Sequence, residues 1–321
     1  MAHHVQQMFS VKETPWHRLG HIVQEAPTAE EAIKLAGLNW QVVEKQIYAF
    51  DHSKNIYARC KTHKALHRSD TDDQLGVVGE GYHPLQNEKA FQFFNPFIEN
   101  GLASFETAGS LRGGKTIWIL AKLNKAPIEV GKGDEVAKFL LLSNGHDGTM
   151  AVRTGFTPIR VVCANTLALS HGAKNSKLLR LTHSKSLESR LDQIKEIVNA
   201  ADARFEATAE QYRALAKSDV NQKDLEAYVD VVFHNPSLAQ QRKELARKKQ
   251  IESIQKLFET GYGAELKSAK GTYWGLYNAV TQYLSYEKGK GEDSRLNSLW
   301  FGHSNNVNQR SLDLALKMAV K

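Results

Sequence analysis

Residues 109–123 read Gly109-Ser110-Leu111-Arg112-Gly113-Gly114-Lys115-Thr116-Ile117-Trp118-Ile119-Leu120-Ala121-Lys122-Leu123, and two folds compete for them. The first eight residues fit G-x-x-x-x-G-K-[ST], the loop whose amides cradle phosphates at a helix N-terminus. Such a loop needs a helix behind it. Here Thr116 to Leu123 alternates with period two, is rich in β-branched and aromatic residues, and runs on to Pro127, which is the pattern of a strand. The later apolar run Phe139 to Leu142 ends in Ser143 and not in a magnesium-binding acid. The stretch therefore predicts a glycine hairpin, Ser104 to Ala108 against Lys115 to Leu123, whose Arg112 and Lys115 can still touch phosphates.

Upstream, Thr28 with Glu31 three positions on forms a capping box for a short helix to about Leu38. Trp40 to Phe50 and Ile56 to Thr62 suit two strands around the turn Asp51 to Asn55, and Leu75 to Gly79 suits a third. Gln86 to Asn100 predicts a helix with Ala90, Phe93, Phe94, Phe97 and Ile98 on one face, kinked at Pro96 and ended by Gly101. Downstream, Lys138 to Leu142 and Met150 to Phe156 suit another strand pair. A helix is expected from Ile159 or Arg160 to about His171, then a short strand over Lys177 to Leu181.

From Ser186 the pattern turns helical. Leu187, Leu191, Ile194, Val198, Ala201, Phe205, Tyr212 and Leu215 recur at spacings of four and three, with Thr208 in the missing slot, over one long helix to about Lys217. That stripe suits either an antiparallel helix pair within the chain or a seam between copies. Further helices are expected at Gln222 to Phe233, Ser237 to Thr260, Thr272 to Tyr286 and Asn308 to Val320. Tyr273, Leu276, Tyr277, Val280, Tyr283 and Leu284 line one face of the third of these, as core or as a base-stacking platform. The fold class is thus α+β: a mixed, mainly antiparallel sheet with packed helices over residues 1–183, then an all-helical part over 184–321.

Composition bounds the function. The chain has 321 residues, 41% hydrophobic and 24% charged, as in ordinary globular proteins. No apolar run reaches a membrane span, and Met1 to Phe9 lacks the apolar core of a secretory signal, so a cytoplasmic protein without membrane contact is expected. Cys60 and Cys163 are too few for a disulfide scaffold. The net charge of +7 raises the odds of a polyanionic partner.

Weaker motifs have plainer readings beside them. Cys60, His63 and His67 have zinc-like spacing but no matching fourth ligand. His146-Asp147 resembles the pair of metal phosphohydrolases, yet Asn144-Gly145 and Gly148 mark a tight turn. Cys163 and His171, eight apart on one helix, would lie about 12 Å apart along its axis, too far for a thiol pair. No metal or cofactor is expected. Arg242, Lys243, Arg247, Lys248 and Lys249 form a basic run that suits a solvated helix face or a second contact site.

Five phrases occur together and in order: Pro15-Trp16-His17-Arg18-Leu19-Gly20, Tyr82-His83-Pro84-Leu85-Gln86-Asn87, Glu106-Thr107-Ala108-Gly109, Ser143-Asn144-Gly145-His146-Asp147-Gly148 and Arg160-Val161-Val162-Cys163-Ala164-Asn165-Thr166-Leu167. With them the chain resembles the phage/plasmid-like protein family defined by domain of unknown function 932, over about residues 10–230. A mixed sheet with a packed helix and a helical tail is also similar to the core of ring-forming single-strand annealing proteins. The resemblance implies a protein of a mobile element in a bacterial host.

The leading expectation is a non-enzymatic protein that holds single-stranded DNA in recombination. Arg112, Lys115, Arg153 and Arg160 would track the backbone, Trp118 would stack bases, and Asn165, Lys174 and Lys177 would add contacts. A homo-oligomer would lengthen the groove. Trp16 would anchor an N-terminal arm or stack a base. The alternatives are an interaction protein with a host-protein partner, such as an inhibitor of a defence system, or a metal-dependent nucleotide hydrolase or nuclease using Lys115 or His146 and Asp147.

Overall fold

The structure is a computed structural model that describes residues 5–12, 21–160, 165–166, 179–194, 201–233, 240–288, 298–299 and 302–320. The expected strand-helix mixture is present. In chain order the strands are β1 (Val5–Val11), β2 (His21–Val23), β3 (Val42–Asp51), β4 (Ile56–Arg68), β5 (Gln74–Gly79), β6 (Ala103–Leu111), β7 (Thr116–Leu123), β8 (Ile128–Gly131), β9 (Asp134–Gly145), β10 (Val152–Arg160), β11 (Asn165–Thr166) and β12 (Leu179–Leu181). The larger sheet has the order β11-β10-β9-β7-β6-β1-β2, with β12 also on β10 and β8 on β9; β3-β4-β5 form a separate antiparallel sheet.

By proximity between residues the chain divides into two compact units. The first holds Met1–Asn124, Leu140–Gly155 and Leu178–Asn199; the second holds Lys125–Phe139, Phe156–Lys177 and Ala200–Lys321. A single cut near residue 183 does not describe this division. β9 begins in the second unit and ends in the first, and β10 does the reverse.

In the first unit, β6 and β7 are the predicted hairpin, with Gly109 opposite Trp118 and Leu111 opposite Thr116. Its turn runs through Arg112 (φ 54°), Gly113 (69°) and Gly114 (93°). A side chain at Gly114 would strike the Trp40 ring at 2.8 Å, so glycine is needed there for both backbone and space. A strand where a phosphate loop needs a helix settles the competition over residues 109–123. β7 departs from simple alternation: from Thr116 to Leu123 only Lys122 is exposed. Such continuous burial marks a strand covered on both faces.

The Thr28 capping box opens α1 (Ala29–Leu35) as expected. The 86–100 helix is two pieces, α2 (Asn87–Gln92) and α3 (Asn95–Glu99), with Pro96 in the first turn of the second. There its missing N–H costs nothing. Phe91 and Phe94 pack on Phe105 of β6.

The long helix expected from Ser186 is described as α4 (Leu187–Ile194), in the first unit, and α5 (Ala201–Leu215), in the second. Residues 195–200 lie outside the described residues. Phe205, Thr208, Tyr212 and Leu215 are buried, and α5 packs on β8, on α8 (Tyr273–Gln282) and on α9 (His303–Ala319). This half of the stripe is consumed inside its own unit.

α6 (Gln222–Phe233) and α7 (Gln240–Thr260) also belong to the second unit, and a π-helical turn, Tyr283–Glu287, extends α8. Every residue of α8 is buried, so its aromatic stripe is core. Among the described residues no helix is long and apolar enough to cross a membrane.

Candidate functional site

Two of the five ordered phrases, Tyr82 to Asn87 and Ser143 to Gly148, meet in the first unit. Asn87 donates its Nδ2 to the carbonyls of Leu38 (3.1 Å) and Trp40 (3.2 Å), which turns its Oδ1 to His146 Nε2 at 2.9 Å. His146 must then donate from Nε2, leaving Nδ1 to accept from Asn144 Nδ2 at 3.5 Å. Burial, with the nearby His183 adding to it, pushes the His146 imidazole down to about 3, so it stays neutral. Asn144 also donates to Leu85 O (3.2 Å), and Tyr82 donates its hydroxyl to Gly145 O at 2.6 Å.

These hydrogen bonds bear on the hydrolase alternative. Both His146 nitrogens are occupied by neighbouring amides. Asp147 places one oxygen 3.3 Å from Arg112 and uses the other in a turn with Thr149 N (3.0 Å) and Oγ1 (2.6 Å). The pair is built as a structural turn with no ring nitrogen left for a proton or a metal. Among the described residues no group of three histidines, cysteines or acids is placed to hold a metal ion.

The predicted contact residues do not share one environment. Arg112 is part-exposed in the hairpin turn, donates to Thr116 Oγ1 at 2.8 Å and forms an ion pair with Asp147. Lys115 is half-buried in the same turn. Arg153 lies on β10 directly opposite Arg180 of β12. Its Nε is buried with no hydrogen-bond partner among the described residues, and burial first, then Arg180, disfavours its charge.

Two of the eight are corrected. Trp118 is fully buried, its ring laid across Gly109, where an added Cβ would come within 2.7 Å of it. It offers no face to a base. Arg160 does not open a helix; it closes β10, opposite Asn165 of β11. It is 1% exposed and bound through Nε and Nη2, both at 2.7 Å, to the two oxygens of Asp134. Ser268 Oγ (2.6 Å) and Trp274 Nε1 (2.8 Å) also donate to that carboxylate. Burial would raise the Asp134 carboxyl, but Arg160 and these two donors more than reverse it and hold the group below the usual carboxylate range. Arg160 is thus an internal anchor of the second unit. The Asn165 side chain, Lys174, Lys177, Trp16, His17, Cys163 and His171 lie outside the described residues.

The basic run on α7 is partly engaged: Arg247 pairs with Asp230 at 2.5 and 2.9 Å, while Lys248 and Lys249 are exposed. The side chains of Arg242 and Lys243 lie outside the described residues.

Sequence reasoning missed a different surface. Half of the large apolar side chains that remain exposed among the described residues lie in the β3-β4-β5 sheet: Val43, Tyr48, Phe50, Ile56, Tyr57 and Val77. The base of this sheet is anchored. Gln86 hydrogen-bonds both ways to the Val42 backbone, and Arg68 lies 4.5 Å over Trp40 while gripping Asp70 at 2.9 and 2.7 Å. Beyond that base, from Tyr48 to His63, no residue is buried. The available signal was two strands bearing aromatics around a polar turn, with no neighbouring apolar segment assigned to cover them.

The family described as Domain of unknown function (DUF932) matches residues 74–300, later at both ends than the ordered phrases suggested. The searches of curated proteins and of solved structures returned no match.

Proposed function

The chain belongs to the DUF932 family, and we propose that it is a non-enzymatic nucleic-acid-binding protein that holds single strands during recombination of a phage or plasmid. The observation that carries this reading is the Arg153–Arg180 pair. The two arginines stand opposite each other in register on neighbouring strands, close enough for the charge of Arg180 to weigh on Arg153, and among the described residues neither is paired with a carboxylate. Like charges in that position weaken a strand pair. A phosphate between them turns the repulsion into charge-assisted hydrogen bonds. Lys115 adds a cation in the same unit, and the excess charge of +7 favours approach of a polyanion. Holding a strand requires no bond chemistry, which agrees with the fully occupied His146 and Asp147.

The test is a titration of the full chain with a fluorescent single-stranded oligonucleotide between about 50 and 200 mM salt, where binding through several phosphates falls steeply. Arg153→Ala and Arg180→Ala each weaken binding while the protein stays folded. Absence of binding by the unaltered protein at the lowest salt rejects the reading. A native mass measurement on the same samples reports whether copies assemble along the strand.

A further inference from the structure

The outer part of the β3–β4 ribbon carries a second, distinct chemistry. Register places Tyr48 opposite Arg59 and Phe50 opposite Tyr57, so these four side chains share one face. They are accessible: Tyr48 is 55% exposed, Phe50 38% and Tyr57 74%. Phe50 touches Tyr57, with centroids 4.8 Å apart and planes tilted by 44°, and meets His52 edge-on at 4.7 Å. That packing helps hold the two strands together. It leaves the Tyr57 ring mostly in water, and Tyr48 has Arg59 as its directly opposite neighbour. Arg59 donates to the neutral Gln46 Oε1 and not to an acid.

Charge on the ribbon has one dominant sign. Between Tyr48 and His63 the cations are Lys54, Arg59 and Lys61, and the only acid is Asp51, 3.8 Å from Lys54. Exposed aromatics interleaved with cations suit a ligand with flat apolar faces and regularly spaced negative charge. Spacing narrows the choice further. Side chains at i and i+2 on a strand lie about 7 Å apart, roughly twice the 3.4 Å base step of duplex DNA. Tyr48 and Phe50 therefore match bases that have been drawn apart and not those of an intact helix.

We propose that this ribbon face is a stacking platform for the unpaired bases of an extended single strand, with Lys54, Arg59 and Lys61 on its phosphates. The proposal rests on the nucleic-acid reading above and adds what part of the strand is gripped and by which side chains.

The experiment measures binding of the full chain to three probes of equal length: oligothymidine, an abasic strand with the same backbone, and a blunt duplex. The unaltered protein should prefer oligothymidine to the abasic strand by about tenfold or more, with duplex weakest. Tyr48→Ala/Tyr57→Ala should erase the preference for bases while leaving binding to the abasic strand unchanged, and Tyr48→Phe/Tyr57→Phe should keep it. Equal affinity of the unaltered protein for oligothymidine and the abasic strand overturns the platform without touching the function, because backbone binding survives. An alanine variant that retains the full preference also overturns it, as does one that loses both single strands equally. No binding to any probe at low salt rejects the function itself.

Discussion

The tip of the β3–β4 ribbon and the interior of the second unit hold the same chemical pair, an arginine beside aromatic rings, in opposite settings. Arg160 sits 5.5 Å from the Trp274 ring, 1% exposed, with both oxygens of Asp134 on its guanidinium. Arg59 stands opposite Tyr48 in water with a neutral amide as its partner. The difference lies in the third member. A carboxylate satisfies a guanidinium and lets it be buried; Arg59, with a neutral partner, stays exposed and available to an external anion. An arginine is therefore read as a contact residue only once its acid has been sought.

The sharpest way to break this comparison is to take the acid away. Asp134→Ala takes the carboxylate from buried Arg160 and leaves its charge facing neutral carbonyls such as those of Tyr262 and Gly263, which should cost about 3–5 kcal/mol of unfolding free energy. Denaturant unfolding checks it; a loss below about 1 kcal/mol would mean that the pair is not the anchor described. The same carboxylate gives a pH signature. Its folded pKa lies below the unfolded value, so its contribution is complete above about pH 4 and is lost as pH falls through the depressed folded value.

Trp118→Ala should cost about 3 kcal/mol or more, as for a buried tryptophan, with strand affinity unchanged in the folded fraction. Tyr57→Ala should show the reverse, with near-normal stability and weakened binding. If Trp118→Ala altered affinity and not stability, the burial described for it would be wrong.

Acidification from pH 7 to 5 should cost about 2 kcal/mol through His146. Its folded pKa is pushed down to about 3 from an ordinary 6.5, so below 6.5 the unfolded chain takes up a proton that the native chain refuses. Stability is full above 6.5 and falls until about pH 3. His183, also lowered by burial, acts in the same direction. Unfolding curves across this range should flatten in His146→Gln.

The smallest effect on stability is expected at Arg180. Arg180→Ala should leave stability unchanged or a few tenths of a kcal/mol higher, because it relieves a like-charge pair. It should also reduce the salt dependence of single-strand binding by about 0.7 for each phosphate that Arg180 neutralises. Stability that drops on removal of Arg180 would show that the guanidinium already has a partner within the protein.

Local rules are legible where they act over a few residues. The strand after Lys115 follows from its period, and the start of α1 from Thr28 and Glu31. What escapes them depends on residues distant in sequence. Arg160 reads as a helix start facing solvent because its acid lies 26 residues earlier and its covering donors, Ser268 and Trp274, more than a hundred residues later. Trp118 reads as exposed because alternation implies one open face, whereas β7 is covered on both. The ribbon's strands are readable, but its openness is not: among the described residues no layer covers the outer part of that face, and no local pattern records a missing neighbour.

The interleaved path of β9 and β10 has a practical corollary for anyone dissecting the molecule. A shortened polypeptide that stopped at residue 183 would retain Asp134 and Arg160 yet lose the serine and tryptophan that shelter them. Its complement, starting at 184, would lack β8 and the part of β9, up to Phe139, that belongs to the second unit. Neither piece inherits a complete interior, so altering single side chains in the intact molecule is the sounder way to separate what each unit does.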